Sequence, residues 1–323
     1  MTVGLRGSAL HIDVPLTNLV IDYVPDEYIV QDIFPIIPVQ KETDKYFIWN
    51  QGDGMRIHDD IVGRDMRVKL IERGLSNDNY VCQPRGLGTR IYDLDMELAD
   101  AVLDLKRADA ELLMSSIFRG WESRAATTLQ STSSVGCSQT LTGATQFSAV
   151  NSGDPIGTIL TGIETIEAAG ITPDSIIIPK KVLRRIAQNN RFQAKTMYTK
   201  ALFPGMEREL VNVIGDATGL KNVYVPGLLK NTANEGADAV FGEIWSDNIH
   251  IFKKGTPGPR GNTAGYAYTF RLTGGVYAGR TLAVSSYRLA EENGKGIQLE
   301  VHLAQDEKVV GKAFSHTIFD CLA

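Results

Sequence analysis

The sequence predicts an α+β protein built around one long helix and a compact α/β unit. Three observations support this prediction. Apolar residues recur at spacings of three and four between residues 104 and 129, helix and strand signals alternate from residue 154 onward, and strand-like segments lie before and after these regions. The length of 323 residues fits two structural units.

Composition excludes several classes of protein. The 33 basic and 38 acidic residues give a net charge of −5, which argues against a protein that coats nucleic acid through a dominant basic face. Cys82, Cys137 and Cys321 are far apart and form no C-x-x-C pair, so we expect neither a zinc site nor a disulfide framework. No signal peptide and no apolar window of about 18 residues is present, so we expect a protein made in a cytoplasm that does not span a membrane.

Residues 1–40 are predicted to form an extended arm. Four prolines interrupt any long helix and favour extended geometry at the residue before each: Pro15, Pro25, Pro35 and Pro38. The arm is nevertheless rich in apolar residues. We therefore expect it to be buried either across its own body or across a neighbouring molecule.

Residues 41–74 carry 14 charges, seven of each sign, about twice the charge density of the rest of the chain. Strand-like composition at 45–50 and 79–82, with a turn at Gly52-Asp53-Gly54, predicts a long hairpin. We expect its tip, around residues 54–74, to be polar and to dock on partners. The alternative is a solvated loop.

A short helix is predicted at 94–101 and a longer one from the N-cap Asp104 to about residue 129. If continuous, the longer helix extends for roughly 37 Å. Its expected apolar face consists of Leu105, Ala108, Leu112, Leu113, Ile117, Trp121 and Ala125. Residues 125–153 contain no charge and twelve serines or threonines, which indicates a linker or a weak hairpin.

The compact unit is predicted to begin with a helix capped by Asp154, with Pro155 in its first turn and an end at Gly170. Further helices are expected at 180–188 and 206–214. Strands are expected at 175–178, 223–225, 239–245, 249–252, 266–272, 297–303 and 313–319.

No sequence motif of a catalytic or cofactor-binding site is present. Gly86-Leu87-Gly88 and Gly52-Asp53-Gly54 lack the third glycine of a dinucleotide-binding loop. The three adjacent residues His58-Asp59-Asp60 are expected to be solvated rather than to hold a metal ion. We predict that the protein is not an enzyme and that it needs no cofactor or metal.

The order of these parts resembles that of the major capsid proteins of tailed bacteriophages with the Hong Kong 97-type fold. The similarity covers nearly the whole chain. It is carried by residues 30–39 at the end of the arm, Lys45-Tyr46-Phe47, residues 103–113, Asp154-Pro155-Ile156, Pro257-Gly258, residues 265–270 and residues 308–311. The chain departs from the family at Ala313-Phe314-Ser315, where relatives often have a glycine–tyrosine pair.

The resemblance implies an N-terminal arm, an extended β-hairpin loop, a long spine helix and an axial α/β domain. The corresponding bounds are 1–40 for the arm, 41–82 for the extended loop, 83–153 for the first part of the peripheral domain with the spine helix, 154–285 for the axial domain, and 286–323 for the peripheral and closing strands.

The resemblance also implies a function. The chain would self-assemble into hexamers and pentamers of an icosahedral phage head that encloses double-stranded DNA without sequence-specific binding. No long charged helical segment precedes the arm, which implies a separate scaffolding protein or none; a portal and a decoration protein are further expected partners. The alternatives are an encapsulin-like nanocompartment shell protein and an α/β enzyme with an arm.

We expect contacts between copies to involve the end of the arm and the charged hairpin. The candidate contact residues are Phe34, Ile37, Lys45, Trp49, Arg56, Asp59, Asp60, Arg64, Asp65, Arg67, Lys69, Glu72 and Arg73.

Overall fold

The computed structural model of the chain describes residues 28–49, 51–62, 67–68, 70–72, 74–98, 104–196, 207–234, 236–257, 265–274, 283–289 and 295–323. Its helices are α1 Val30–Ile33, α2 Gln51–Gly54, α3 Asp93–Leu98, α4 Leu105–Gln130, α5 Pro155–Ala168, α6 Lys180–Gln188, α7 Asn190–Thr196 and α8 Glu207–Thr218. Its strands are β1 Ile36–Val39, β2 Thr43–Trp49, β3 Leu75–Val81, β4 Gln83–Tyr92, β5 Cys137–Thr140, β6 Ser175–Ile177, β7 Asn222–Tyr224, β8 Leu229–Asn231, β9 Phe241–Glu243, β10 Ile249–Phe252, β11 Ala267–Leu272, β12 Ala283–Arg288, β13 Gly296–Val309 and β14 Ser315–Phe319.

The long helix α4 confirms the predicted helix and its cap. Asp104 Oδ1 accepts a hydrogen bond from the backbone N–H of Arg107 at 3.2 Å, which satisfies a donor of the first turn. The 26 residues of α4 span about 39 Å. Its buried face contains Ala110, Leu113, Met114, Ile117, Phe118, Trp121, Glu122, Ala125, Ala126 and Leu129.

Part of the predicted apolar face of α4 was wrong. Leu112 is exposed, and neither Leu105 nor Ala108 is among the buried residues of the helix. The stripe that packs on the sheet begins at Ala110 and runs through Leu113 and Ile117. Leu112 is rotated about 100° from Leu113 and therefore lies outside that stripe.

The first sheet has the order β1-β11-β13-β12, and β4 also pairs with β13. β4 is antiparallel to β13, with Gln83 opposite Gln305 and Tyr92 opposite Gly296. Strand β4 was not predicted from the sequence, because Gly86 and Gly88 weaken its strand signal. A Cβ atom at Gly86 would lie 2.6 Å from His302 Nδ1, so close approach to β13 explains the glycine there.

The second sheet has the order β5-β14-β10-β6-β7. The uncharged region predicted as a linker or weak hairpin supplies β5, which pairs in parallel with β14 from Cys137 opposite His316 to Thr140 opposite Phe319. Helices α5, α6 and α8 contribute to the core over this sheet. Asp154 caps α5 by accepting from the N–H of Gly157 at 3.1 Å, as predicted.

The strands of each sheet come from parts of the chain that were expected to belong to different domains. β11 lies within the expected axial range 154–285 and β12 begins there, but both pair in the first sheet. β14 lies within the expected closing range 286–323 but pairs in the second sheet. Strand order is set by pairing between segments far apart in sequence, which local patterns do not reveal. The bounds of the domains themselves remain a prediction.

The end of the arm is buried against the body of its own chain. β1 runs parallel to β11, with Ile36 opposite Thr269. Phe34 is completely buried in the core between α4 and the first sheet, and Asp32 forms an ion pair with Lys254 at 2.7 Å. The rest of the predicted arm, residues 1–27, lies outside the described residues. Within the part of the chain that the structure describes, no helix is long and apolar enough to cross a membrane.

Candidate assembly surface

The predicted charged hairpin is present as β2 and β3. The two strands are antiparallel, with Thr43 opposite Val81 and Trp49 opposite Leu75. Phe270 of β11 fixes the hairpin to the first sheet, because its ring stacks on Tyr46 at 5.2 Å and on Tyr80 at 4.6 Å between centroids.

Polar contacts also hold the base of the hairpin. The Tyr46 hydroxyl donates to Asp78 Oδ2 at 2.9 Å, and the Val81 N–H donates to Asp306 Oδ2 at 3.0 Å. Burial and the neighbouring carboxylate of Asp78 raise the pKa of Tyr46, so this hydroxyl stays a donor at neutral pH. The root of the hairpin is therefore attached to its own subunit by rings and hydrogen bonds.

The tip of the hairpin differs from the predicted polar tip. A short helix, α2, replaces the expected turn, and the Gly74 N–H donates to Asp53 Oδ2 at 2.8 Å across the base of the loop. The described residues of the loop include a set of large exposed apolar side chains: Met55, Ile57, Ile61, Val62, Val68, Leu70 and Ile71. The prediction of a polar tip was wrong, because these apolar side chains stand between the charged residues of the loop and are exposed with them. A surface with both kinds of side chain suits contact with another protein.

The predicted contact residues fall into three groups. Phe34 lies in the core of its own chain, and Ile37 is partly buried against the small cluster that contains Phe270. The hairpin residues with exposed side chains are Lys45, Arg56, Asp59, Asp60, Arg67 and Glu72, while Trp49 is paired in β2. Residues outside the described part of the chain are Arg64, Asp65, Lys69 and Arg73. Contact between copies through these residues stays a prediction.

Sequence reasoning missed a second exposed surface, formed by the small hairpin β8–β9 and the neighbouring helix α6. Leu229, Val240 and Phe241 are exposed on the hairpin. The basic character of α6 was visible in the sequence, but the exposure of Phe241 was not, because an isolated aromatic residue in a short strand is more often buried. The groove between these elements is lined by both basic and apolar side chains.

Two titratable groups with large pKa shifts lie in packed cores. Burial lowers the pKa of His250 to about 3 and raises the pKa of Cys82 to about 11. Both groups are therefore neutral at pH 7 and enclosed. Among the described residues, no group of three or more His, Cys, Asp or Glu side chains is placed to hold a metal ion.

One exposed cleft, of about 430 Å³, contains a pair of polar side chains from β13. His302 Nε2 lies 2.8 Å from Glu300 Oε2, and the same carboxylate accepts hydrogen bonds from Tyr287 and Gln298, each at 2.6 Å. These donors, with His302, lower the pKa of Glu300 despite its partial burial. The cluster is thus satisfied internally, and it gives no sign of a general base.

Comparison with known proteins gives one similar curated sequence, and no protein-family model matches the chain. This similar protein is the major capsid protein of Pseudomonas phage JBD67. The two sequences are 22% identical over 277 residues, which make up 84% of each chain.

Solved structures are similar over almost the whole chain. A phage-related protein from Bordetella bronchiseptica RB50 has a TM-score of 0.73 at 17% identity, covering 97% of this chain and 99% of that one. The capsid protein of cyanophage P-SCSP1u has a TM-score of 0.60 at 10% identity, covering 98% and 91%.

At these identities the structures establish the fold, and the similar sequence points to the same class of protein. The chain therefore has the Hong Kong 97-type fold of these capsid structures, and its sequence is similar to that of a phage major capsid protein.

Proposed function

We propose that this protein is the structural subunit of an icosahedral phage head, in which copies of the chain form hexamers and pentamers that enclose double-stranded DNA. The observation that carries this proposal is the extended hairpin loop. Its root is held by Phe270, whereas Ile57 at its tip is 98% exposed. An exposed loop of this kind has no role in a stable monomer, but a shell subunit uses it to contact a neighbouring subunit.

The side chains of the loop suit assembly through many weak contacts. Burying an apolar side chain of this size against a neighbour contributes about 1.5–3 kcal/mol. An exposed ion pair contributes about 0–1 kcal/mol and mainly sets the register of the contact. Because each contact is weak, a wrongly placed subunit can dissociate before the shell closes. Repeated heterologous contacts between identical copies then build rings.

The remaining partners follow from the same proposal. The net charge of −5 is compatible with a container that encloses DNA without holding its phosphates. We propose a separate scaffolding protein, a portal and a decoration protein as further partners, synthesis in the host cytoplasm, and a final location in the virion. The role is structural, and we propose no enzymatic activity.

Electron microscopy and sedimentation of the purified full-length chain test the proposal. The chain is produced alone and together with the adjacent genes of its phage, at several salt concentrations and protein concentrations. We expect shells or ring-shaped capsomers, and DNA in particles isolated from lysates. A persistent monomer under every condition would overturn the proposal, and particles filled with a cargo enzyme instead of DNA would favour a nanocompartment shell.

A further inference from the structure

The groove beside α6 has a marked excess of positive charge. Two adjoining cavities of about 580 and 620 Å³ meet at Lys180 and Leu229. Together they are lined by five basic residues and one acidic residue: Arg119, Lys180, Lys181, Arg184, Arg185 and Glu243.

Some of this charge is already compensated within the chain. Glu207 accepts from Lys180 at 3.1 Å and from Arg184 at 3.4 Å. Lys181 and Arg119 are exposed on the two sides of the groove. The groove therefore keeps a positive potential that favours an acidic occupant.

The groove also has an apolar wall. Phe241 lines the groove and is 69% exposed, and Leu229, which lines both cavities, is exposed as well. An exposed aromatic side chain next to exposed cations is typical of the centre of a protein–protein contact. The occupant should therefore combine large apolar side chains with carboxylates.

The loop of the extended hairpin supplies such a segment at residues 57–62. Its exposed apolar residues are Ile57, Ile61 and Val62, and the carboxylates of Asp59 and Asp60 lie between them. Because Ile57 is 98% exposed, the segment does not occupy the groove of its own chain.

Charge distinguishes this groove from another exposed apolar site. Leu94 is exposed on helix α3, where Asp93 is paired with Arg288 but Asp95 and Glu97 on the same helix add further acidic charge. An acidic loop segment would be repelled there, whereas the groove beside α6 would attract it.

We propose that the groove between α6 and the β8–β9 hairpin receives loop residues 57–62 of a second copy of the chain. This pairing rests on the proposed function and names the surface that accepts the loop. Ile57 and Ile61 pack against Phe241 and Leu229, and Asp60 faces the basic side of the groove.

Disulfide trapping tests the apolar half of the pairing. Ile61→Cys is combined with Phe241→Cys in a Cys137→Ser background, since Cys137 is exposed whereas Cys82 and Cys321 are buried. We expect a ladder of intermolecular disulfides from assembled particles on non-reducing gels, and monomers from each single variant. The control combines Ile61→Cys with Leu112→Cys, which is exposed on α4 outside the groove.

Charge exchange tests the electrostatic half. We expect Asp60→Lys or Lys181→Glu alone to reduce the yield of assembled particles at least tenfold, and the two together to restore most of it. Lys106→Glu, an exposed charge at the start of α4, is the matched control and should leave the yield unchanged. Equal melting temperatures of the unassembled variants exclude misfolding as the cause.

The outcomes separate this pairing from the proposed function. If the unaltered chain forms particles but Ile61→Cys cross-links equally to Leu112→Cys and to Phe241→Cys, or the charge exchange gives no rescue, the pairing is overturned and the shell function stands. Failure of the unaltered chain to form particles would overturn both.

Discussion

The buried carboxylate of Glu122 accepts a hydrogen bond from the indole Nε1 of Trp245 at 2.7 Å. Its second oxygen accepts from the backbone N–H of Val30 at 2.9 Å. Glu122 thereby joins the long helix to the end of the arm and to the segment before β10. Because the side chain is fully buried, desolvation raises its pKa to about 7, although both donors favour the ionised form.

The raised pKa of Glu122 predicts a pH-dependent stability. Between pH 4.5, the ordinary pKa of a glutamate, and about pH 7, Glu122 is protonated in the folded state but ionised in the unfolded state. The protonated carboxyl therefore stabilises the folded state fully below pH 4.5, and this stabilisation is lost as the pH rises through 7. Relative to Glu122→Gln, the unfolding free energy of the unaltered chain should fall by about 2–3 kcal/mol from pH 5 to pH 8. Urea unfolding of the unassembled chain measures this. A difference between the two proteins that does not change with pH would contradict the prediction.

Replacement of Trp245 by Phe should make this pH dependence stronger. The substitution removes a donor that stabilises the ionised carboxylate, so the pKa of Glu122 rises further. We expect a loss of about 1–3 kcal/mol at pH 8 and a smaller loss at pH 5, measured by urea unfolding.

Trp121→Phe is the matched control for Trp245→Phe. Trp121 is also buried, but its indole N–H has no hydrogen-bond partner among the described residues. The Trp121→Phe variant loses the same side-chain volume without losing a hydrogen bond. Its decrease in unfolding free energy should therefore be equal at pH 5 and pH 8. The same pH dependence in both variants would show that packing, not the Glu122 hydrogen bond, is responsible.

Local features of the sequence predicted the longer helices but not the short helices α1, α2 and α7. Asp104 and Asp154 were both predicted as N-caps and both cap helices. Such caps can be predicted because the backbone donor lies only three residues further along the chain. The strand Ile249–Phe252 was also predicted, because a short run of apolar and β-branched residues between turn signals indicates a buried strand.

Features that depend on distant residues were not predictable. Nothing near Glu122 in the sequence indicates that Trp245, 123 residues away, lies beside it. The strand β4 was missed because its glycines are explained only by the close approach of His302. The charged hairpin was predicted from composition, but the groove beside α6 requires the pairing of β8 with β9 and their position next to that helix.

Two helical glycines should respond oppositely to replacement by alanine. A Cβ atom at Gly120 in α4 would lie 3.4 Å from Arg124 Nη1, an ordinary contact. A Cβ atom at Gly162 in α5 would lie 2.8 Å from Ile251 Cδ1 and 2.9 Å from His316 Cδ2, inside the second core. Both variants gain helix propensity, but only Gly162→Ala overpacks the helix against the sheet.

We expect Gly120→Ala to raise the unfolding free energy by about 0.5–1 kcal/mol. Gly162→Ala should lower it by about 1–2 kcal/mol, because the packing cost exceeds the gain in propensity. Thermal unfolding of the unassembled chain gives both values. Stabilisation by Gly162→Ala would mean that Ile251 and His316 move aside at little cost.

The stacking of Tyr46 on Phe270 predicts that the root of the hairpin can be loosened without unfolding the body. Tyr46→Ala removes the ring contact and the hydrogen bond to Asp78, which together are worth about 1–3 kcal/mol. Hydrogen exchange in β2 and β3 should accelerate about tenfold or more, whereas exchange in α4 and β13 should be unchanged. Phe47→Ala is the control, because Phe47 is the next residue of the strand and points to the opposite, exposed face. Equal acceleration in both variants would show that strand pairing, rather than the stack on Phe270, holds the loop to its subunit.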